Sequence, residues 1–250
     1  MDIIWFVVFG GLLAGYFALE GFDLGVGMHL LGRPRGQRDE MVAAMAPFVL
    51  ANEVWLIALA GAMFGVYPQL ESSVVFALYP IVVGMLLSWV LRDAGLWFRR
   101  RLPGDGWRAA WDLAIGLGSL GLTLGWGLVL GALVTGSPGL LGLAIGVVLV
   151  LLFTLHGRTF LAWRTPEAAS GMVAVKPVTL WMFLATGALA ALPALAVVVG
   201  GAGYLLNHSA PSSTLVTLGL MVVPFAPIMV GAQVWVWRTF RRADRQPSFF

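Results

Sequence analysis

Two carboxylates lie one helical turn apart inside the first hydrophobic segment of the chain. Glu20 and Asp23 fall in the run LEGFDLGVGMHLL, which extends from Leu19 to Leu31. A charged side chain inside a membrane is unfavourable, so it is normally paired with an opposite charge or used for function. A structural salt bridge to Arg33 or Arg92 explains this pair as well as a functional role does.

A third acid lies deeper in the predicted membrane. If the second hydrophobic helix enters the bilayer near Met41, the helical rise places Glu53 about 18 Å deep, close to the bilayer centre. Asn52 is its direct neighbour. No basic residue is predicted at that depth, so we favour a functional role for Glu53 and Asn52, or a polar contact with another subunit, over a purely structural one.

Other polar residues are predicted near the cytoplasmic ends of the later helices. Arg92 and Asp93 fall near the end of the third, Asp112 near the start of the fourth and His156 in the inner half of the fifth. Titratable groups at graded depth are what a proton relay requires, because each proton transfer needs a neighbouring acceptor within hydrogen-bond reach. The candidate polar track consists of Glu20, Asp23, Asn52, Glu53, Arg92, Asp112 and His156.

Simpler explanations exist for two members of this track. Asp112 falls in the first turn of a predicted helix, where a negative charge is stabilised by the helix dipole. His156 has no histidine on a facing helix to complete a pair of haem ligands, so a hydrogen-bonded core residue is the better interpretation.

The composition identifies the medium in which these residues must be positioned. Hydrophobic residues make up 60% of the 250 positions and charged residues 11%, and the mean hydropathy is +0.91. Apolar runs near twenty residues recur along the chain, which is the pattern of an all-α, polytopic membrane bundle. Seven spanning segments are predicted, at residues 3–31, 40–66, 73–98, 107–134, 139–163, 177–206 and 214–240.

The basic residues alternate between the predicted loops. All fifteen lie in or flank the first, third and fifth loops or the C-terminal end, whereas YPQLESS, TGSPG and LNHSAPSS contain none. Because cytoplasmic loops are enriched in Lys and Arg, the N-terminus is predicted outside and the C-terminus in the cytoplasm. The basic positions are Arg33, Arg35, Arg38, Arg92, Arg99, Arg100, Arg101, Arg108, Arg158, Arg164, Lys176, Arg238, Arg241, Arg242 and Arg245.

No long polar stretch separates the segments, so residues 1–250 are predicted to form a single transmembrane domain. Within it we expect an N-terminal four-helix bundle at 1–134 and a reduced group of C-terminal helices at 139–250. The absence of cysteine excludes disulfides and thiolate metal sites. No nucleic-acid-binding motif is present.

Glycines and prolines predict how the spans pack. Glycines four residues apart allow close approach of helix backbones. The five such pairs are Gly11 and Gly15, Gly21 and Gly25, Gly61 and Gly65, Gly121 and Gly125, and Gly127 and Gly131. Prolines within spans predict kinks instead of helix ends. They are Pro47, Pro80, Pro193, Pro224 and Pro227.

Several motifs resemble the second subunit of cytochrome bd quinol oxidases. The strongest are EGFDLGVGM at Glu20–Met28 and MAPFVLANEVWL at Met45–Leu56, followed by a third helix that ends with Arg92. Three further segments also resemble this family. They are WRAAWD, LLFTLHGRTFLAWRT and QVWVWR, which begin at Trp107, Leu151 and Gln233. The resemblance is strong over residues 1–165 and thin beyond them.

The chain departs from this family in two respects. Family members are usually longer and have additional helices in the second half, so a reduced C-terminal bundle is expected here. The family sequence Pro-His-Trp-Asp-Gly-Asn corresponds to Pro47–Asn52, where Leu50 replaces an acid implicated in proton uptake by some relatives. Glu53 lies three residues further along, on roughly the same helical face, and is our candidate replacement.

The resemblance implies a subunit of a quinol:dioxygen oxidoreductase without a catalytic centre of its own. A haem-bearing subunit I would hold haem b and haem d, oxidise quinol and reduce dioxygen to water. This chain would bind no cofactor firmly, except for a structural quinone in some members, and would stabilise subunit I and line a proton path from the cytoplasm. Small accessory subunits and a bacterial or archaeal cytoplasmic membrane are also implied. The alternatives are a proton-coupled transporter and a non-catalytic membrane scaffold.

Overall fold

The computed structural model describes residues 1–165 and 179–240. Within these ranges every regular element is helical. The ten α-helices are α1 (Asp2–His29), α2 (Arg35–Val66), α3 (Pro68–Glu71), α4 (Tyr79–Phe98), α5 (Asp105–Thr135), α6 (Leu140–Arg164), α7 (Leu180–Gly200), α8 (Ala202–Asn207), α9 (Ser212–Val222) and α10 (Ala226–Thr239). A π-helical segment, Ser72–Phe76, precedes α4, and a 3-10 turn, Val223–Phe225, joins α9 to α10.

Seven spans are long and apolar enough to cross a membrane, which confirms the predicted all-α polytopic fold. Six are the single helices α1, α2, α4, α5, α6 and α7, and the seventh is the combined segment Ser212–Thr239. The third span begins at Tyr79, later than predicted, because the residues before it form the separate π-helical segment. Four of the basic residues on which the predicted topology rests lie outside the described residues. They are Lys176, Arg241, Arg242 and Arg245.

Helix α1 occupies the centre of the bundle and packs against α2, α5, α6 and α7. Its inner half is buried almost continuously from Glu20 to Met28. Glycine makes this packing possible, since a Cβ at Gly25 would overlap the backbone of Phe153 and come within 3.0 Å of the Cα atom of Gly157. The first carboxylate motif therefore lies on the most enclosed helix of the fold.

The predicted glycine contacts are only partly present. Gly127 and Gly131 of α5 face the backbone of Gly142 and Gly146 on α6, where two helices meet without intervening side chains. By contrast, Gly11 and Gly61 face open space, with no heavy atom within 4 Å of an added Cβ. The prediction is therefore wrong at these two positions, because four-residue spacing does not specify which side of a helix has a neighbour.

The last span is broken and lies at the edge of the bundle. Pro224 falls in the 3-10 turn and Pro227 in the first turn of α10, so these prolines divide the span into two helices. Pro47 and Pro193 lie inside continuous helices, as predicted, whereas Pro80 begins α4. Proline lacks an N–H donor and is well accommodated in a first helical turn, so the kink predicted at Pro80 is wrong.

The two ends of the bundle differ in charge. At one end, arginines pair across the loops, with Arg35 bonded to Asp105, Arg38 to Asp112 and Arg99 to Asp39. At the opposite end, the Ser209 hydroxyl donates to Asp2, and the backbone N–H of Ala210 donates to the carbonyl of Val66 at the end of α2.

Candidate functional site

Arg92 joins three helices inside the bundle. Its guanidinium on α4 donates to Glu20 on α1 and to Glu53 on α2, and its Nε donates to Asp93 at 2.9 Å. Arg92 and Glu20 are each only 1% exposed. The expectation that Glu53 has no cation at its depth is therefore wrong. Counting helical rise locates backbones, but it ignores the reach of a long arginine side chain and the inclination of the helices.

Acids outnumber bases in this group, which we call the Arg92 cluster: Glu20, Asp23, Asn52, Glu53, Arg92 and Asp93. Three of its four carboxylates bond to the single guanidinium, and the fourth, Asp23, accepts from Asn52. Glu20 Oε2 and Asp23 Oδ1 are buried without a hydrogen-bond partner among the described residues. Carboxylates held close together in a low-dielectric medium cannot all be ionised at little cost. An arrangement of this kind requires that some of its carboxyl groups bind protons or that additional positive charge is supplied from outside the chain.

Asn52 connects Asp23 to the last span of the chain. Its Nδ2 donates to Asp23 Oδ2 at 2.6 Å and to the carbonyl of Leu19 at 3.2 Å. Gln233 on α10 donates from Nε2 to Asn52 Oδ1 at 2.8 Å. Sequence reasoning missed Gln233 as a site residue. The available signal was a single amide side chain within an otherwise apolar and tryptophan-rich segment.

Glu53 lies at the margin of the cluster. Its Oε1 also accepts a hydrogen bond from Trp89 Nε1 at 2.9 Å, and 8% of its side chain is exposed. Leu50, Val54 and Ile57 on the same helix have exposed side chains. The Asp93 side chain is 26% exposed. The cluster therefore reaches the outside of the bundle at Asp93 on α4, whereas Glu53 on α2 is almost fully buried.

Asp112 belongs to a separate ion-pair group. Its Oδ1 accepts from Arg99 Nε at 2.9 Å and from Arg99 Nη2 at 2.8 Å, and its Oδ2 accepts from Arg38 at 3.3 Å. Arg99 lies seven residues beyond Arg92, immediately after the end of α4 and towards the arginine-rich end of the bundle. The geometry supports the structural explanation of Asp112, since its carboxylate compensates a guanidinium that is 1% exposed.

His156 on α6 is also apart from the Arg92 cluster. Its Nε2 lies 2.9 Å from the carbonyl of Ala18 and its Nδ1 lies 2.8 Å from the Thr186 hydroxyl. A carbonyl only accepts, so Nε2 carries the proton and Nδ1 accepts from Thr186. The ring also stacks on Phe183. With both nitrogens engaged, His156 has none free for a haem iron, and no group of three or more His, Asp or Glu side chains in 1–165 and 179–240 is arranged to hold a metal ion.

An apolar cavity of about 480 Å³ lies between α1, α2, α5 and α7. Phe9, Leu59, Trp126 and Leu205 line it, and Tyr204 contributes a hydroxyl-bearing side chain. The chemistry of this lining suits a hydrocarbon chain.

Comparison with known proteins identifies the family of the chain. The family described as cytochrome bd terminal oxidase subunit II matches residues 1–206. Subunit 2 of the cytochrome bd-I ubiquinol oxidase of Escherichia coli K12 is 32% identical over 186 residues, which cover 66% of this chain and 49% of the relative. Subunit 2 of the Bacillus subtilis cytochrome bd ubiquinol oxidase is 31% identical over 179 residues, covering 65% and 53%.

A third relative, described as a probable cytochrome oxidase subunit 2, comes from Haemophilus influenzae. It is 27% identical over 189 residues, which cover 67% of this chain and 50% of the relative. The chain thus spans about half the length of the curated relatives it matches. The matched region contains all six residues of the Arg92 cluster, which lie on α1, α2 and α4, and the protein belongs to the cytochrome bd terminal oxidase subunit II family.

Proposed function

We propose that this chain is the subunit of a quinol:dioxygen oxidoreductase that carries no haem and that supports a haem-bearing subunit I. The observation that carries the proposal is the Arg92 cluster, an excess of acids that joins α1, α2 and α4 and reaches the bundle surface at Asp93. The family relationship supplies the reaction, since the E. coli and B. subtilis relatives are described as ubiquinol oxidase subunits.

The exposed edge of the cluster supports the assignment of a partner. Lipid cannot solvate a partly exposed carboxylate such as Asp93, or Glu53 close beneath the surface, so these acids require another polar surface against them. The apolar side chains around them, including Leu50 and Ile57 on α2 and Leu86 and Val90 on α4, are exposed. Subunit I is proposed to cover this side of α2 and α4, and its binding there stabilises both chains.

The same carboxylates can serve as a proton path. Reduction of dioxygen to water consumes protons, and haem b and haem d bound by the partner would supply the electron transfer and oxygen binding. In this chain Arg92 bonds to both Glu20 and Glu53, and Glu53 is the less enclosed of the two, with 8% of its side chain exposed. Glu53 is proposed to pass protons from the Arg92 cluster towards subunit I, in the role of the acid that Leu50 replaces.

Orientation follows from the charge difference between the two ends. The end with the inter-loop arginine pairs is proposed to face the cytoplasm of a bacterial cell, which places the N-terminus outside and the C-terminus inside. Arg99, Asp112 and Arg38 then lie at the cytoplasmic boundary, where protons would enter.

The apolar cavity is the proposed site for a structural quinone. A lining dominated by Phe9, Leu59 and Leu205 suits an isoprenoid tail, and the Tyr204 hydroxyl offers a hydrogen bond to a carbonyl oxygen of the head group. Such a molecule would stabilise the contact of α1 with α2 and α7.

Affinity purification from the native membrane in mild detergent tests the assembly. We expect a larger partner to copurify and the reduced-minus-oxidised optical spectrum to show haem b and haem d signals. A spectrally silent, self-associated protein would contradict the oxidase proposal and would favour a transporter or a scaffold.

Replacing Glu53 by glutamine tests the proton path. The variant retains the shape and the Trp89 hydrogen bond but removes the transferable proton. We therefore expect quinol oxidation by the assembled complex to slow by about tenfold or more, since a positioned acid–base group contributes at least that much to proton transfer. Turnover should be measured per haem d, so that loss of assembly is separated from loss of rate.

The matched control is Glu40→Gln, which makes the same chemical change at an exposed position near the start of α2. It should leave turnover per haem unchanged. Normal turnover per haem d and normal proton uptake in the assembled Glu53→Gln complex would show that Glu53 is not part of the proton path.

A further inference from the structure

Helix α10 is mostly exposed, with a few partly buried side chains and one fully buried one. Among residues Ala226–Thr239 only Gln233 is buried, and it lies beyond residue 206, where the family match ends. Burying a glutamine is unfavourable unless its amide is hydrogen bonded. The contact of Gln233 with Asn52 is therefore the buried polar contact that joins α10 to the bundle, beside the packing of Trp237 on Phe48.

When Asp23 is ionised, the positions of the heavy atoms around the side-chain amides of Asn52 and Gln233 are consistent with one hydrogen-bond arrangement. Asn52 Nδ2 then donates to Asp23 and to the Leu19 carbonyl, and Gln233 Nε2 donates to Asn52 Oδ1. In this arrangement Trp55 Nε1 donates to Gln233 Oε1 at 3.3 Å. However, the same Oε1 faces the carbonyl of Ala51, which is also an acceptor.

A second arrangement uses the same atomic positions when Asp23 is protonated. Half-turn rotation of the Gln233 amide lets Nε2 donate to the Ala51 carbonyl at 3.0 Å, while Oε1 accepts from Trp237 Nε1 at 3.1 Å. Rotation of the Asn52 amide then lets its nitrogen donate to Gln233 Oε1. Asn52 Oδ1 then takes the position of the amide nitrogen, 2.6 Å from Asp23 Oδ2, and accepts a hydrogen bond from the protonated carboxyl group.

Two sets of neighbours therefore favour opposite forms of Asp23. The Leu19 carbonyl at 3.2 Å and the Trp55 indole at 3.3 Å favour a donating Asn52 and an ionised Asp23. The second arrangement leaves the Trp55 N–H facing the Gln233 amide nitrogen, although the contacts that it gains are shorter. The Ala51 carbonyl and the Trp237 indole orient Gln233 so that Asn52 must turn its oxygen towards Asp23, which requires a proton on the carboxyl group. Because an amide has a donor side and an acceptor side, both amides must turn together.

We propose that Gln233 is a positioning residue that acts through the amide of Asn52 to favour the protonated form of Asp23. Its role in enzyme turnover rests on the proposed proton path, but its effect on Asp23 is independent of that path. Through Gln233, the last span of the chain therefore influences how readily Asp23 in the Arg92 cluster releases its proton.

The charged and titratable groups near Asp23 come from several helices. Glu20 lies one turn away on α1, Glu53 lies beside Asn52 on α2, and Arg92 and Asp93 lie on α4. His156 on α6 bonds to the backbone of Ala18, and Asp112 on α5 pairs with Arg99. Removing Gln233 leaves all of these in place, so a change in Asp23 can be attributed to the amide pair.

The test is infrared difference spectroscopy of the purified protein, in complex with whatever copurifies, during a pH change. The band of protonated Asp23 is identified by its shift in heavy water and by its absence in Asp23→Asn. In Gln233→Leu the ratio of protonated to ionised Asp23 at a given pH should fall about tenfold, which corresponds to about 1.4 kcal/mol. Trp237→Phe, which removes the donor to Gln233 but keeps an aromatic ring, should shift the ratio in the same direction by less.

Val234→Ala, an exposed neighbour on α10, is the control and should leave the ratio unchanged. An unchanged ratio in the Gln233→Leu and Trp237→Phe proteins, a shift towards protonated Asp23, or no Asp23 band at any pH would each overturn the proposal. If Gln233→Leu does not fold, the Trp237→Phe result alone decides. The readout concerns Asp23 itself, so it remains informative even if the chain proves to have no oxidase partner.

Discussion

Replacing Arg92 by methionine is expected to destabilise the folded chain by about 3–5 kcal/mol, the usual consequence of removing one partner of a buried ion pair. Methionine fills a similar volume but leaves Glu20 and Glu53 without their shared guanidinium. Both carboxylates are almost fully buried, so neither can recover its hydration. The measurement is the free energy of unfolding of the purified protein in mixed detergent micelles.

Arg101→Met is the matched control, because Arg101 is exposed beyond the end of α4 and its side chain donates to the Trp97 carbonyl instead of to a buried acid. Its stability should stay within about 0.5 kcal/mol of the unmodified chain. Adding Glu20→Gln and Glu53→Gln to Arg92→Met removes the stranded charges and should restore most of the loss. Equal stability of the Arg92→Met and Arg101→Met proteins would show that the cluster does not hold α1, α2 and α4 together.

Replacing Gly25 by alanine is expected to cost about 3 kcal/mol of stability, the upper end of the range for overpacking a tight interior. The added methyl group would overlap the backbone of Phe153 on α6, and backbone atoms cannot rotate away as a side chain can. The helices α1 and α6 must therefore separate, which disturbs the segment that carries Glu20 and Asp23. Reversible unfolding in the same micelles measures the loss.

Gly61→Ala makes the same chemical change on α2, where an added Cβ has open space around it. This variant should be unchanged or slightly more stable, because alanine has the higher helix propensity. Similar losses at Gly25 and Gly61 would mean that steric contact between α1 and α6 is not the cause.

These variants also separate structure from function at the Arg92 cluster. Arg92→Met and Gly25→Ala act on the fold, so they should reduce the amount of assembled complex. Glu53→Gln keeps a hydrogen-bonding side chain of the same size, so it should reduce the rate per assembled complex. If the cluster has only a structural role, Arg92→Met and Gly25→Ala should reduce the amount of assembled complex, but Glu53→Gln should not reduce the rate per assembled complex.

The hydrophobic pattern by itself determined the membrane class and the seven spans, because a helix that crosses a hydrocarbon layer must be about twenty apolar residues long wherever it packs. The polar residues that interrupt those spans were likewise visible. Glu20, Asp23, Asn52, Glu53 and Arg92 are recognised by residue type alone, since few charged or amide side chains occur within the predicted helices.

The partners of these residues were decided only by the tertiary structure. Arg92 pairs with Glu20 and Glu53, whereas Asp112 pairs with Arg99, and helical spacing along one segment cannot distinguish these choices. Gln233 lies 181 positions from Asn52, so only the return of α10 to the bundle brings the two amides together. The glycines show the same limit, because Gly61 and Gly127 have equivalent spacing motifs but only Gly127 has a neighbouring backbone. Sequence periodicity specifies the face of a helix, and the fold decides what that face meets.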